Sequence, residues 1–411
     1  MESAAPAGTA ASRNPAAALA SSAARGSPAP LKLKRGVNAF PWLQLTREFP
    51  APRRDYDWPP FQPERPIPTP RDLATLRDAG FDFIRLPLDP GPFLAGGAKE
   101  RRALLALLSE ALDLCLAQDL SVVVNVQANG GTHYWTPERM TGSLSAPEFP
   151  AYLGLVGEIA ARLPVSRAAL EPINEPGGAC GSADTRAVRE ALLSQARRAA
   201  PGLTLVASGG CGSLIQGLAE FDPSSVARFA PRLYTFHFYE PYLFTHQGAP
   251  WMGERLYHTL TGVPWPGGRG TYDATMRETR TRLDADLSLT TDHRAAVLAE
   301  TEKVMKVYFD ASPSRPFIDG YLGAAAGWAK RHGIGAENVL LGEFGALRKD
   351  ARYFGARAQD RAAYVRDVRE SAEAFGFPWA FWCLFDGMGL MDERARTLDP
   401  AMVDALGLKR R

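Results

Sequence analysis

The feature that most constrains the fold is a series of eight short apolar runs, separated by longer segments with helical periodicity. Several runs are almost continuously apolar, as in Val122-Val123-Val124, and such runs are typical of strands covered on both faces. The predicted strands are 33–40, 81–88, 121–127, 168–174, 203–208, 233–239, 338–344 and 379–385. Strands that alternate with helices form either a closed (β/α)₈ barrel or an open doubly wound sheet.

Helical periodicity fills the intervals between most of these strands. The predicted helices are 71–79, 99–118, 148–163, 185–199 and 359–375, with a long helical region over 275–331. The glycine-rich segment 208–213 lacks the spacing of a dinucleotide-binding turn, and the chain contains no GxxxxGK[ST] motif. We therefore predict an α/β fold, a (β/α)₈ TIM barrel, as a single domain over residues 31–411.

Residues 1–30 have a different composition. Of these 30 residues, 23 are Ala, Ser, Pro or Gly, so the segment has too little apolar surface to offset its ordering entropy. We predict a low-complexity disordered tail. It has neither the basic start nor the apolar run of a clear signal peptide. No run in the chain approaches the roughly 20 apolar residues of a membrane span.

Charge and ligand-type residues exclude several classes of function. The chain has 47 Lys+Arg and 45 Asp+Glu, so it carries no electrostatic footprint for nucleic acid. Its six histidines form no HExxH motif, and its four cysteines form no CxxC motif. We predict no metal site and no cofactor. One disulfide remains open.

Two carboxylates follow predicted strands of the barrel. Glu175 comes after the fourth strand and Glu343 ends the seventh, and the carboxyl ends of barrel strands meet at one mouth. Retaining glycoside hydrolysis needs two carboxyls about 5–5.5 Å apart, one as nucleophile and one as acid/base. A single Glu at a strand end can instead cap the following helix, because carboxylates favour helix N-termini. The pair points to the catalytic interpretation.

The motifs around these carboxylates resemble glycoside hydrolase family 5, a cellulase-like family of retaining (β/α)₈ enzymes. The resemblance runs from about residue 36 to residue 382. The motifs that carry it are Gly36-Val37-Asn38, Gly80-Phe81-Asp82-Phe83-Ile84-Arg85-Leu86-Pro87, Asn174-Glu175-Pro176, His237-Phe238-Tyr239, Gly342-Glu343-Phe344-Gly345 and Phe381-Trp382. The resemblance implies that Glu343 is the nucleophile and Glu175 the acid/base, the latter with a raised pKa.

The same resemblance implies roles for substrate-binding residues. Arg85 and Tyr239 are expected to hold Glu343 as an anion, and Asn174 to bind the 2-hydroxyl of the sugar at subsite −1. His237 is expected near the acid/base, and Trp382 beneath the sugar ring. Arg85 could instead pair with Glu171 inside the barrel, and the aromatic residues could be core.

One position departs from the family. Members usually carry a histidine at the end of strand three, where this chain has Gln127. Glutamine can bind a sugar hydroxyl but carries no titrating proton. We therefore predict that Gln127 lines the mouth near Arg85 and Asn174 and contributes to substrate selection.

These observations predict a retaining, endo-acting glycoside hydrolase on a β-linked polysaccharide or oligosaccharide, with β-1,4-glucan as the first choice. Mannan, β-1,3-glucan and bacterial exopolysaccharide remain alternatives, as do a transglycosylase and a non-catalytic carbohydrate-binding barrel. The substrate class favours a secreted or periplasmic location. The long loop after strand six is rich in aromatic residues, which are either sugar platforms or a satellite apolar cluster. The oligomeric state is not readable.

Overall fold

The computed structural model describes residues 29–409, and within them eight parallel strands close into a barrel. The strands are β1 (Arg35–Asn38), β2 (Thr46–Glu48), β3 (Tyr56–Phe61), β4 (Phe83–Leu88), β5 (Ser121–Val126), β6 (Ala168–Glu171), β7 (Thr204–Ser208), β8 (Arg232–His237), β9 (Val339–Glu343) and β10 (Trp379–Phe381). Strands β2 and β3 form a separate antiparallel hairpin. The barrel closes because β1 pairs in parallel with both β4 and β10. The predicted (β/α)₈ barrel is confirmed.

Helices surround the barrel. They are α1 (Pro70–Ala79), α2 (Gly91–Ala95), α3 (Ala98–Leu116), α4 (Pro137–Thr141), α5 (Phe149–Ala160), α6 (Ala183–Ala199), α7 (Ile215–Ala219), α8 (Tyr242–Thr245), α9 (Arg255–Thr259), α10 (Tyr272–Asp284), α11 (Thr291–Ala311), α12 (Arg315–Arg331), α13 (Ala358–Phe375) and α14 (Pro400–Ala405). No helix in the described part of the chain is long and apolar enough to cross a membrane. The prediction for residues 1–30 lies outside the described residues, apart from Ala29 and Pro30.

The residues at the two ends of helix α1 explain where it begins and where it ends, just before β4. Thr69 accepts a hydrogen bond from the Asp72 backbone, and the Asp72 carboxylate accepts one from the Thr69 backbone. This capping box, with Pro70 in the first turn, satisfies backbone N–H groups that the helix itself leaves unpaired. Gly80 ends the helix at φ 116°, a left-handed conformation that favours glycine. The chain then enters β4.

The interior of the barrel is filled in layers. Near the amino ends of the strands lies an apolar layer with one residue contributed by each strand or by the segment just before it: Leu33, Phe83, Val123, Ala169, Val206, Leu233, Leu340 and Ala380. Gly36 accommodates this layer, because a Cβ there would lie 2.3 Å from the Phe83 ring. The layer fills the barrel near the amino ends of the strands, and the opposite mouth, at their carboxyl ends, is where the loops of a (β/α)₈ barrel carry chemistry.

A polar layer follows two residues further along the strands, because side chains alternate between the two faces with a period of two. Its members are buried, at no more than 1% exposure: Asn38, Arg85, Asn125, Glu171, Ser208 and Thr235. A third step along the inward face reaches His237 at the end of β8. The site at the mouth is therefore built directly on the strands.

The longest insertion lies between β8 and β9 and contains helices α8 to α12. The predicted helical region 275–331 consists of three helices, α10, α11 and α12, and the aromatic loop before them contains the short helices α8 and α9. This insertion adjoins the mouth of the barrel, since it begins directly after His237, at the carboxyl end of β8.

Candidate active site

Two carboxylates face each other at the mouth of the barrel. Glu343 is the last residue of β9 and is 4% exposed, whereas the Glu175 side chain lies four residues beyond β6 and is 39% exposed. One oxygen of each carboxylate and one ring nitrogen of His237 all lie within 4.8 Å of one another. Glu175 has a φ of 41°, a left-handed conformation that is uncommon for a residue other than glycine.

Glu343 accepts a hydrogen bond on each of its oxygens. Arg85 Nη1 donates to Oε1 at 2.7 Å, and the Tyr239 hydroxyl donates to Oε2 at 2.9 Å. The two bonds fix the direction in which this carboxylate points, and the bond from the guanidinium is charge-assisted. These are the partners that we expected for Glu343.

Arg85 connects three strand ends beneath the mouth. Its Nε and Nη2 donate to the two oxygens of Glu171 at 2.8 and 3.0 Å, while Nη1 donates to Asn38 and Nη2 to Asn174, both at 2.7 Å. The sequence left open whether Arg85 pairs with Glu171 or with Glu343. In the structure it pairs with both. Burial lowers the pKa of Arg85, but the two carboxylates outweigh burial and raise it, so the guanidinium stays charged.

His237 lies beside both carboxylates. Its Nδ1 is 2.8 Å from Glu175 Oε1 and 3.6 Å from Glu343 Oε2. An ionised carboxylate can only accept, so Nδ1–H donates to Glu175. Burial lowers the pKa of His237, but the negative charges of Glu343 and Glu175 raise it more, and the net direction is upward. Gly342 permits this close packing, since a Cβ there would lie 3.0 Å from His237 Nε2.

The two carboxyls differ from the order of pKa values that we expected. Desolvation raises the pKa of Glu175, but the hydrogen bond from His237 and its charge lower it more. Burial raises the pKa of Glu343, and the charges of His237 and Arg85 offset this only in part. These directions predict that, in the free site, the His237–Glu175 pair shares the proton that an acid would need across its 2.8 Å contact.

The geometry also bears on metal binding. Glu175, His237 and Glu343 present two oxygens and a nitrogen that could hold a cation. However, Arg85 Nη1 already places a permanent positive charge 2.7 Å from Glu343 Oε1, which would repel a second cation. The absence of a metal site stays a prediction.

A comparison with protein families identifies the chain. The model of the family described as Cellulase (glycosyl hydrolase family 5) matches residues 54–387. The chain belongs to this family. The match includes Arg85, Glu175 and Glu343, so these three residues of the site lie within the matched region.

Known proteins similar to this family 5 chain include two curated enzymes. Endoglucanase 3 of Fibrobacter succinogenes is 24% identical over 332 residues, which cover 76% of this chain and 45% of that protein. Cellodextrinase A of Ruminococcus flavefaciens is 24% identical over 201 residues, which cover 45% of this chain and 56% of that protein. The chain thus spans about half the length of these curated relatives.

Solved structures share the family 5 barrel. The cellulose synthase subunit Z of Clostridioides difficile has a TM-score of 0.63 and 21% identity, covering 91% of this chain and 99% of that one. Thermotoga maritima Cel5A in complex with mannotriose has a TM-score of 0.65 and 19% identity, covering 91% of this chain and 97% of that one. At these identities, the likeness shows the fold alone.

Gln127, which stands where family 5 members usually have histidine, lies directly after β5 on the same strand face as Asn125. Its backbone carbonyl accepts a hydrogen bond from Gln44 at 2.9 Å. Its side-chain Oε1 is buried and has no hydrogen-bond partner among the described residues. The structure therefore shows no hydrogen bond from Gln127 to Arg85 or Asn174, the residues near which we expected it.

Trp382 follows β10 and packs in an apolar cluster at the mouth. Its ring centroid lies 5.3 Å from that of Phe40, and Tyr239 belongs to the same cluster. Of the eight predicted site residues, four form one hydrogen-bonded network: Arg85, Asn174, Tyr239 and Glu343. His237 and Glu175 form a hydrogen-bonded pair beside it. Trp382 adjoins them through this cluster, and Gln127 forms no hydrogen bond with them.

Two residues of the site were not predicted. Asn38 ends β1, and its Oδ1 accepts from Arg85 while its Nδ2 donates to the Gly342 carbonyl at 3.0 Å. Its place at a strand end was the available signal. His246 lies in the insertion, stacked on Tyr242 with centroids 4.8 Å apart, and burial lowers its pKa to about 4. No strand pattern points to His246, because its position depends on how the insertion folds back.

The aromatic residues of the insertion divide into two groups. Trp265 and Phe244 are fully buried and belong to the core, as the apolar-cluster alternative expects. Trp251, in contrast, is 53% exposed, and its ring lies 6.4 Å from His246, which itself contacts Tyr239. A continuous set of rings therefore leads from Glu343 to an exposed indole.

Proposed function

We propose that this chain is an endo-acting, retaining glycoside hydrolase whose substrate is a β-linked polysaccharide, with β-1,4-glucan first. The observation that carries the proposal is the pair of carboxylate oxygens of Glu175 and Glu343, which approach to within 4.8 Å. Retaining enzymes hold their carboxyls about 5–5.5 Å apart, whereas inverting enzymes leave about 6.5–9.5 Å for a water molecule. We also propose that residues 31–411 form one catalytic domain.

In this mechanism, Glu343 attacks the anomeric carbon while Glu175 protonates the leaving oxygen. Glu175 then removes a proton from water, which hydrolyses the glycosyl ester of Glu343 and restores the original anomeric configuration. Arg85 and Tyr239 direct Glu343, Asn174 binds the sugar 2-hydroxyl, and Trp382 covers the apolar face of the sugar ring. Trp251 extends the apolar surface toward a neighbouring sugar.

The substrate choice rests on the relatives. The curated relatives include endoglucanases, and Cel5A of Thermotoga maritima was crystallised both with cellobiose and with mannotriose. Mannan is therefore the second candidate. A non-catalytic barrel is disfavoured because both carboxylates are present and hydrogen-bonded to partners that orient them. The Cys180–Cys211 disulfide fits an oxidising compartment, as the secreted or periplasmic location requires.

The deciding experiment measures reducing ends released from soluble β-1,4-glucan, mannan and β-1,3-glucan, together with viscosity. Internal cleavage of β-1,4-glucan lowers viscosity early, while few reducing ends have formed. NMR of the first product should show retained anomeric configuration. Release of an inverted product would exclude the proposed mechanism, and no release from any polymer would exclude the activity.

Gln127 provides a prediction on specificity. Gln127→Ala should raise the activation barrier by about 1–3 kcal/mol on the best polysaccharide, since a sugar hydroxyl loses its partner. The melting temperature should hardly change, because Oε1 has no internal partner to lose. Gln127→His should alter the ratio of kcat/KM between glucan and mannan. A lower melting temperature with an unchanged ratio would assign Gln127 to packing instead.

His237 provides a prediction on pH. The His237–Glu175 pair keeps its proton up to the raised pKa of His237, and activity is lost as the pH rises through that value. In His237→Asn only the carboxyl can hold the proton, so the alkaline limb of the kcat/KM profile should move to lower pH by about one unit or more. Tyr239→Phe, the control, should lower the rate and leave that limb in place. An unmoved limb in His237→Asn would contradict the proton assignment.

A further inference from the structure

The loop that bears Glu175 is rich in glycine and largely exposed. Residues 174–181 include three glycines, and Gly178 and Gly181 have φ values of 83° and 74°. Glu175 and residues 177–179 are exposed, whereas Pro176 between them is buried. The Thr185 hydroxyl donates to the Gly177 carbonyl at 2.9 Å, so apart from Pro176 this segment is held by polar contacts. A general acid nevertheless has to stay within hydrogen-bond reach of the leaving oxygen.

A disulfide connects this loop to the next one around the barrel. Cys180, five residues after Glu175, is bonded to Cys211, which lies in the short 3₁₀ turn Cys211–Ser213 that follows β7. A backbone hydrogen bond reinforces the connection, since the Gly212 N–H donates to the Pro176 carbonyl at 3.0 Å. Pro176 and Cys180, which make these two contacts with the turn after β7, lie one and five residues after Glu175.

The partner loop is firmly packed, unlike the loop it holds. Ser213, Ile215 and Leu218 are all buried, at 0%, 4% and 1% exposure. At Gly217 a Cβ would lie 2.1 Å from the Gly210 carbonyl oxygen, so the backbone of α7 sits directly against the segment that carries Cys211. The bond therefore attaches an exposed segment to a buried one.

We propose that the Cys180–Cys211 disulfide is a positioning element that holds Glu175 where it can protonate the leaving group. The proposal rests on the acid/base role given to Glu175 under the proposed function. Cys180 and Cys211 touch no substrate and act only through the loop. With the bond cut, Gly177, Gly178 and Gly181 allow the loop to move, and the carboxyl spends less time on the 2.8 Å hydrogen bond to His237.

The expected effect depends on the leaving group. General acid catalysis contributes about 10²–10⁴-fold with a poor leaving group and little with an activated phenol. In the Cys180→Ser/Cys211→Ser double variant, kcat/KM on a cello-oligosaccharide should fall about 10–100-fold, a part of that contribution. On a dinitrophenyl cellobioside it should stay within about threefold, because that substrate needs no proton donor.

Chemical reduction tests the same bond in the unaltered chain. Dithiothreitol supplies two electrons and two protons to the sulfurs and becomes its own cyclic disulfide. It should reproduce the selective loss in the wild type and have no effect on the double variant, which keeps the buried Cys115 and Cys383. All assays are run well below the melting temperature of the variant, so that loss of folded protein does not enter.

Hydrogen exchange supplies a readout that is independent of turnover. Amides of residues 177–182 should exchange faster after reduction, while those of β8 and β9 should not change. An equal loss on both substrates, or unchanged exchange in this loop, would overturn the positioning role. If the wild type cleaves neither substrate, the proposed function fails and the positioning role falls with it, whereas a selective failure in the variant alone concerns only the disulfide.

Discussion

Glu343→Ala is expected to abolish turnover of β-1,4-glucan, lowering kcat by a factor on the order of 10⁴–10⁶, as loss of a covalent nucleophile does in other hydrolases. We expect no other group to take its place, because both oxygens of Glu171 accept hydrogen bonds from Arg85 and Glu175 is the proposed acid. Steady-state kinetics on a soluble glucan measures the effect.

Azide supplies the matching rescue. It is a small nucleophile that can occupy the space left by the Glu343 side chain, and with an activated aryl glycoside it should form a glycosyl azide of inverted configuration. Tyr239→Phe, as a graded control, removes one hydrogen bond to Glu343 and should cost about tenfold. Residual activity of Glu343→Ala above about 1% without azide would contradict the nucleophile assignment.

Glu175→Ala is expected to slow the cleavage of a glucan much more than the release of an activated phenol. On β-1,4-glucan kcat should fall about 10²–10⁴-fold, since the sugar oxygen leaves without a proton. On a dinitrophenyl cellobioside the formation of the glycosyl-enzyme should be nearly unchanged, and its hydrolysis should become the slow step because water has lost its base. A burst of dinitrophenol followed by slow turnover is the measurement.

Asn174→Ala is the control for this experiment. Asn174 is assigned to the sugar 2-hydroxyl, a contact that does not depend on the leaving group, so both substrates should slow by a similar factor. If Glu175→Ala also slows both substrates by the same factor and shows no burst, Glu175 is not the proton donor.

The barrel could be predicted because its strands are buried on both faces. The valines of β5 and the apolar run of β9 have the pattern of buried strands. Segments with regular helical periodicity lie between most of the barrel strands, so the alternation of strand and helix could be predicted. The hairpin of β2 and β3 was not predicted, because its partly exposed, proline-containing strand Tyr56–Phe61 has no such apolar pattern. The paths taken by the short helices of the insertion depend on contacts with distant elements, which local sequence does not encode.

The site was predictable to the extent that it sits on strand ends. Arg85, His237 and Glu343 were named from strand position together with the family 5 resemblance. Closure of the barrel brings them together, so that Arg85 donates to Glu343 at 2.7 Å and His237 lies 3.6 Å from Glu343. The order of pKa values did not follow, because it depends on the burial of Glu343 and on the 2.8 Å contact between His237 and Glu175. Likewise, Cys180 and Cys211 are 31 residues apart, and only the packing of adjacent loops brings them together.

The double pairing of Arg85 has a consequence for the charge balance along the proposed reaction coordinate. When Glu343 becomes a glycosyl ester, it loses its negative charge, and a guanidinium that had this carboxylate as its sole counter-ion would be left as an isolated buried cation. Glu171 keeps its bidentate contact with Arg85 throughout, at 2.8 and 3.0 Å. In the covalent intermediate, Arg85 therefore keeps Glu171 as its counter-ion, and the buried pair has no net charge.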